Sequence, residues 1–152
     1  MRHETLFKGR SILVVEDDPL IRLELISLFE AAGAKIIAVR TCAQAVVATE
    51  QNQISAALLD YGLREENIAP LCGHLAEYQI PYMFYTGCPD LEQSYPRAII
   101  VQKPASGEVL LTSMANLFVG EPLDRVACVV KGRRTGESVK SHIQYSSVRL
   151  QQ

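Results

Sequence analysis

Five short apolar runs alternate along this chain with longer segments whose apolar residues recur at helical spacing, and few folds accommodate that alternation. The runs span residues 11–15, 35–39, 56–59, 82–85 and 98–101. After the first, Asp18-Pro19 reads as a helix N-cap with proline at the first helical position. Ile21, Leu25, Leu28, Phe29 and Ala32 then follow helical spacing, and Gly33 offers the left-handed residue that ends a helix. The second run is followed by a helix over 42–51 carrying Ala45, Val46 and Ala48 inward. The third is followed by one over about 68–78, where Leu71, Leu75 and Tyr78 keep the period despite Pro70 and Gly73. Only a reduced fourth helix fits, around 90–94. Ser106 caps the last helix, which reaches about Val119 with Val109, Leu110, Met114, Leu117 and Phe118 inward.

Strands alternating with helices imply an α/β fold, a five-stranded parallel sheet, doubly wound with right-handed crossovers. The flavodoxin-like strand order suits this length best. Of the 152 residues, 1–10 read as a lead-in, 11–120 as one domain, and 121–152 as a tail. In the tail, residues 125–131 read as a strand, 132–136 as a turn and 139–145 as a weakly alternating segment, so a β-hairpin or a flexible extension is expected.

Composition narrows the partners. With 48% hydrophobic residues and a formal charge of −2, neither disorder nor a general attraction to nucleic acid is indicated. No run approaches the roughly 20 apolar residues of a membrane span, and the N-terminus lacks the apolar region of a signal peptide, so a cytoplasmic protein is expected. Cys42, Cys72, Cys88 and Cys128 lack zinc-site spacing and read as reduced, mainly buried thiols. His3, His74 and His142 read as surface or edge residues. Lys131, Arg133, Arg134, Lys140 and Arg149 make the tail basic, but no aromatic platform accompanies them, and a solvated tail is the better reading.

The chemistry gathers where open α/β sheets build their sites, at the carboxyl ends of the strands. Glu16-Asp17-Asp18 follows the first run, Asp60 the third, Thr86 the fourth, and Lys103-Pro104 closely follows the fifth. Phosphoryl transfer to a carboxylate needs an exposed nucleophile, a divalent cation and a positive group for the equatorial oxygens. Glu16, Asp17 and Asp60 crowded together repel and raise one another's pKa unless a hard cation intervenes. Magnesium, with its oxygen ligands, suits them. Lys103 and Thr86 are placed to meet developing phosphoryl charge.

These motifs, in this order, resemble the receiver domain of bacterial two-component response regulators (the CheY-like superfamily). The resemblance implies Asp60 as phosphoacceptor, Asp17 as a direct magnesium ligand, Glu16 as an acid acting on the metal largely through water, the Gly62 carbonyl as a further ligand, and a cis Lys103-Pro104 bond. Asp18 is left as the helix cap, with a direct metal role as the alternative. IPYMFYTG is similar to the Pro-Phe-x-Phe-Ala-Thr-Gly signature of a receiver subgroup often found as single-domain proteins. That subgroup is commonly paired with sensor histidine kinases of the HWE or a related type. The implied function is a single-domain response regulator accepting phosphate from such a kinase or a histidine phosphotransferase. It would be a phosphoacceptor signalling protein rather than an enzyme, binding a downstream protein target as a monomer or weak homodimer.

Two departures matter. The position three residues before Lys103, where receivers usually carry a switching aromatic, holds Ile100, so the signal is expected to pass through the Thr86-Gly87 loop and the short fourth helix, with Tyr85, Tyr95 or both repacking. The loop after Asp60, YGLREEN, also differs from the usual one. Two other readings compete: a dehalogenase-like phosphatase, which needs an aspartate where Gly62 stands, and a non-phosphorylated interaction module on the same scaffold.

Overall fold

A computed structural model describes residues 3–63, 67–88, 90–119 and 129–130. The strands are β1 (Ser11–Val15), β2 (Lys35–Val39), β3 (Ala56–Leu59), β4 (Tyr82–Thr86), β5 (Ile99–Gln102) and β6 (Val129–Val130). Between them run α1 (Pro19–Ala31), α2 (Cys42–Gln51), α3 (Ala69–Glu77), α4 (Leu91–Ser94) and α5 (Gly107–Asn116), and a 3-10 turn at His3–Thr5 precedes them. The sheet order is β2-β1-β3-β4-β5-β6, all parallel. The first five strands thus have the expected flavodoxin-like order. Of the expected tail strand, Val129 and Val130 are described, paired with Ile100 and Val101; the turn at 132–136 and the segment at 139–145 lie outside the described residues. Among the described residues no helix is long and apolar enough to cross a membrane.

The local signals act where the sequence puts them. Asp18 Oδ1 accepts from Leu20 N at 2.8 Å and Ile21 N at 3.2 Å, capping α1 ahead of Pro19. At the other end Gly33 takes φ +92, and the amides of Gly33 and Ala34 reach back to Glu30 O and Phe29 O, closing the helix. A Cβ on Gly33 would also come within 2.9 Å of Glu4 O, so only glycine fits. Thr41 and Ser106 cap α2 and α5 through their hydroxyls.

Strand residues alternate between two cores. Ile12, Val14, Ala56, Leu58, Met83, Tyr85 and Val101 pack beneath α1 and α5, while Leu13, Val15, Ala57, Leu59, Phe84 and Ile100 pack beneath α2, α3 and α4. The lead-in joins the first core, because Phe7 is buried against Phe29 and Phe118 at centroid distances of 5.7 and 6.0 Å. Two expectations are corrected. Tyr78 is half exposed and stacks on His74 instead of facing the sheet, since α3 ends at Glu77 and the chain turns away. Of the three described cysteines only Cys72 is buried; Cys42 and Cys88 sit near helix and strand ends and are partly exposed.

Candidate functional site

The carboxyl ends of β1, β3, β4 and β5 converge because these strands are neighbours in the sheet. Glu16 and Asp17 leave β1, Asp60 leaves β3, Thr86 ends β4, and Lys103 follows β5. A carboxylate oxygen from each of Glu16, Asp17 and Asp60 lies within 4.8 Å of the others, a grouping that could hold a metal ion. Asp18 is not part of that group and spends its carboxylate on the helix cap.

Lys103 bridges the cluster. Its Nζ donates to Glu16 Oε2 at 2.8 Å and to Asp60 Oδ2 at 3.0 Å, and lies 5.5 Å from the centre of the Tyr85 ring. The Lys103-Pro104 bond is cis, and Ala105 N donates to the Tyr85 hydroxyl at 3.3 Å. Burial alone would lower the pKa of Lys103, but the hydrogen bonds to Glu16 and Asp60 outweigh it and raise it. Glu16 is completely buried, and that burial pushes its pKa up. The hydrogen bond from Lys103 and the Asp18 amide, which donates to Oε1 at 3.1 Å, only partly offset the effect. Crowding by Asp60 contributes too, yet less than the loss of water.

Asp60 differs from the exposed nucleophile read from the sequence: its side chain is 8% exposed. It ends a strand in the middle of the sheet, Lys103 lies across Oδ2, and Gly62 N donates to Oδ1 at 2.9 Å. Thr86 is fully buried, its Oγ1 accepting from Cys88 N at 3.2 Å, and its carbonyl accepts from Lys103 N at 2.9 Å, tying the ends of β4 and β5. Two neighbours escaped the sequence reading. Arg22 Nη1 donates to Glu16 O at 3.0 Å and is 3.4 Å from Asp17 O. Tyr61, directly after Asp60, packs edge-on to Phe84 and Tyr95 at 6.3 and 6.0 Å. Nothing local in the sequence signalled either, since a main-chain carbonyl acceptor and a ring contact between distant strands leave no spacing to read.

No family model matches the chain, and no curated protein does. Solved structures do. SdrG from Pseudomonas melonis Fr1, in its BeF3-activated conformation, is 33% identical, with a TM-score of 0.63 over 72% of this chain and 96% of that one. The receiver domain of the TMAO respiratory system response regulator TorR is 25% identical, with a TM-score of 0.64 over 72% and 96%. This chain belongs to the response-regulator receiver superfamily. A receiver protein from Sinorhizobium medicae WSM419, 23% identical with a TM-score of 0.64 over 71% and 93%, shares the fold of this receiver. As a receiver, the chain has its carboxylate cluster, lysine and threonine at the carboxyl ends of the strands, the end at which doubly wound sheets bind ligands.

Proposed function

We propose that this receiver is a single-domain response regulator that takes a phosphoryl group onto Asp60 and passes the change on as altered binding to a downstream protein. The supporting observation is the pairing of a three-carboxylate cluster with Lys103 bonded directly to Asp60. The donor is a histidine kinase, of the HWE or a related type by the IPYMFYTG stretch, or a histidine phosphotransferase.

Three carboxylates offering hard oxygen ligands fit magnesium, which Glu16, Asp17 and Asp60 would hold with the Gly62 carbonyl, Glu16 largely through water. When bound it supplies neutralisation of the carboxylate and phosphoryl charge. The chain does the rest. A carboxylate oxygen of Asp60 attacks phosphorus, the new O–P bond forms as the N–P bond to the donor imidazole breaks, and the imidazole nitrogen keeps the electron pair and takes up a proton. Lys103 shifts from Asp60 Oδ2 to a phosphoryl oxygen. The Thr86 hydroxyl, whose oxygen now accepts from Cys88 N, retains its proton to donate to another. The protein is in this reading a phosphoacceptor and not a turnover enzyme, because Gly62 stands where an acid/base aspartate would act on a leaving group.

The test is labelling of the full chain with acetyl phosphate and magnesium, followed by intact mass and alkaline lability, beside Asp60→Asn. A base-labile phosphoryl adduct lost in the variant is expected. An unlabelled wild-type chain would leave the non-phosphorylated interaction module as the reading, and an adduct surviving in D60N would move the acceptor elsewhere. Phosphotransfer profiling against histidine kinases of the source genome then identifies the donor.

A further inference from the structure

Arg22 uses a full positive charge in an unusual way. It lies in the first turn of α1, where its own N–H donates to Asp18 O at 2.9 Å, and its half-buried side chain folds back to the loop before the helix. There Nη1 donates to the main-chain carbonyl of Glu16 at 3.0 Å, with the Asp17 carbonyl at a longer 3.4 Å. Those carbonyls belong to the two residues whose carboxylates meet Asp60. The same loop is held from within, since Asp18 N donates to Glu16 Oε1 and Asp18 Oδ1 caps the helix. Arg22 thus ties the first turn of the helix to the loop that carries the two acids.

We propose that Arg22 is a positioning residue: by holding the Glu16 and Asp17 carbonyls it fixes where their carboxylates stand relative to Asp60, and so sets the affinity of the site for a divalent cation. The inference rests on the magnesium reading above. Charge and positioning have opposite signs here, which separates them. A guanidinium near three carboxylates opposes a divalent cation, so as mere charge its removal tightens magnesium binding. As the brace of the loop its removal lets the carboxylates drift, and binding weakens.

The experiment is a titration of the full chain with magnesium chloride alone, followed by the amide shifts of Asp60 and Gly62, for wild type, Arg22→Met and Arg22→Lys. R22M is expected to weaken magnesium roughly tenfold, as for the loss of one charged hydrogen bond. R22K, which keeps the charge and one donor, falls between it and wild type. Unchanged or tighter binding in R22M overturns the proposal. Hydrogen exchange of the Asp18 amide in the metal-free protein gives a second reading, independent of whether the wild type binds magnesium. Faster exchange in R22M with β1 amides unchanged supports the brace, and unchanged exchange overturns it. A wild type that ignores magnesium would instead count against the reading of the site, leaving the exchange measurement to judge Arg22.

Discussion

Lys103 and Glu16 form a 2.8 Å ion pair in which the carboxylate is wholly buried and the ammonium is 18% exposed. The pair is asymmetric. Water still reaches the lysine, whereas Glu16 has exchanged hydration for Lys103 and one backbone amide. Lys103 is therefore a structural counter-ion as well as a candidate phosphate ligand.

Lys103→Met accordingly has a cost in the resting protein. It strands a buried carboxylate, and a destabilisation of about 3 kcal/mol is expected, at the low end for one partner of a buried pair because the lysine is partly solvated. Glu16 can relieve it by taking a proton. Chemical denaturation should thus show a smaller deficit at pH 5 than at pH 8, and an equal deficit at both would mean that Glu16 is not the group left uncompensated. In the same variant, retention of an Asp60 adduct should suffer more than magnesium affinity.

Alkaline pH should destabilise this receiver through a second cluster. Cys72 has its pKa raised above 9.0 by burial, partly offset by hydrogen bonds with Tyr82 and Tyr95, and burial with Cys72 nearby also raises Tyr82 and Tyr95 above 10.0. For such acids the folded state binds more protons than the unfolded one once pH passes the unfolded values, so stability falls as pH rises through about 9 to 10 and beyond. Lys103, also raised, acts in the same direction: its contribution starts to fall once pH passes the ordinary lysine value and is gone above its own elevated one. Unfolding followed from pH 8 to 11 should give a falling curve that Tyr82→Phe flattens. A variant curve superimposing on wild type would remove Tyr82 from the cause.

Phe7→Ala tests whether the lead-in belongs to the domain. Phe7 is 1% exposed and in contact with two rings, and truncation of a buried phenylalanine typically costs about 3–5 kcal/mol. Denaturation midpoints should fall accordingly while labelling per folded molecule is unchanged. A loss under about 1 kcal/mol would show that the segment merely leans on α1 and α5.

What the sequence revealed and what it hid divide by range. The Asp18 cap, Pro19, Gly33 and Ser106 act within a few residues, so their chemistry was visible as composition at fixed spacing. The strand ends were legible because apolar runs stop abruptly at Glu16, Asp60 and Thr86. Phe7 was not, since a lone aromatic in a polar lead-in has no period to betray it. Arg22 looked like any solvated helix arginine, because a carbonyl acceptor leaves no mark on sequence. Asp60 read as exposed because nothing local shows that Lys103, distant in the chain, lies over it.

The route by which a phosphoryl group on Asp60 would inform the rest of the chain gives the last prediction. Ile100 is buried in β5 where a switching aromatic would stand, and the sequence pointed instead to Tyr85, Tyr95 and the Thr86-Gly87 loop. Tyr61 supplies a contact that this route lacked. It is the residue after Asp60 and packs on Tyr95, which closes the four-residue α4, while Tyr95 also rests on Phe84 at 4.9 Å. A shift at Asp60 is thereby one residue from a ring that touches the end of α4. Beryllofluoride with magnesium should move the ring resonances of Tyr61 and Tyr95 and the amides of 91–95 together. Tyr61→Leu should reduce the α4 response at least severalfold while leaving the changes at Asp60 and Gly62 intact. If α4 responds equally in Y61L, the signal leaves through Thr86 and Gly87 without this ring, and shifts confined to the metal site would deny α4 any part in it.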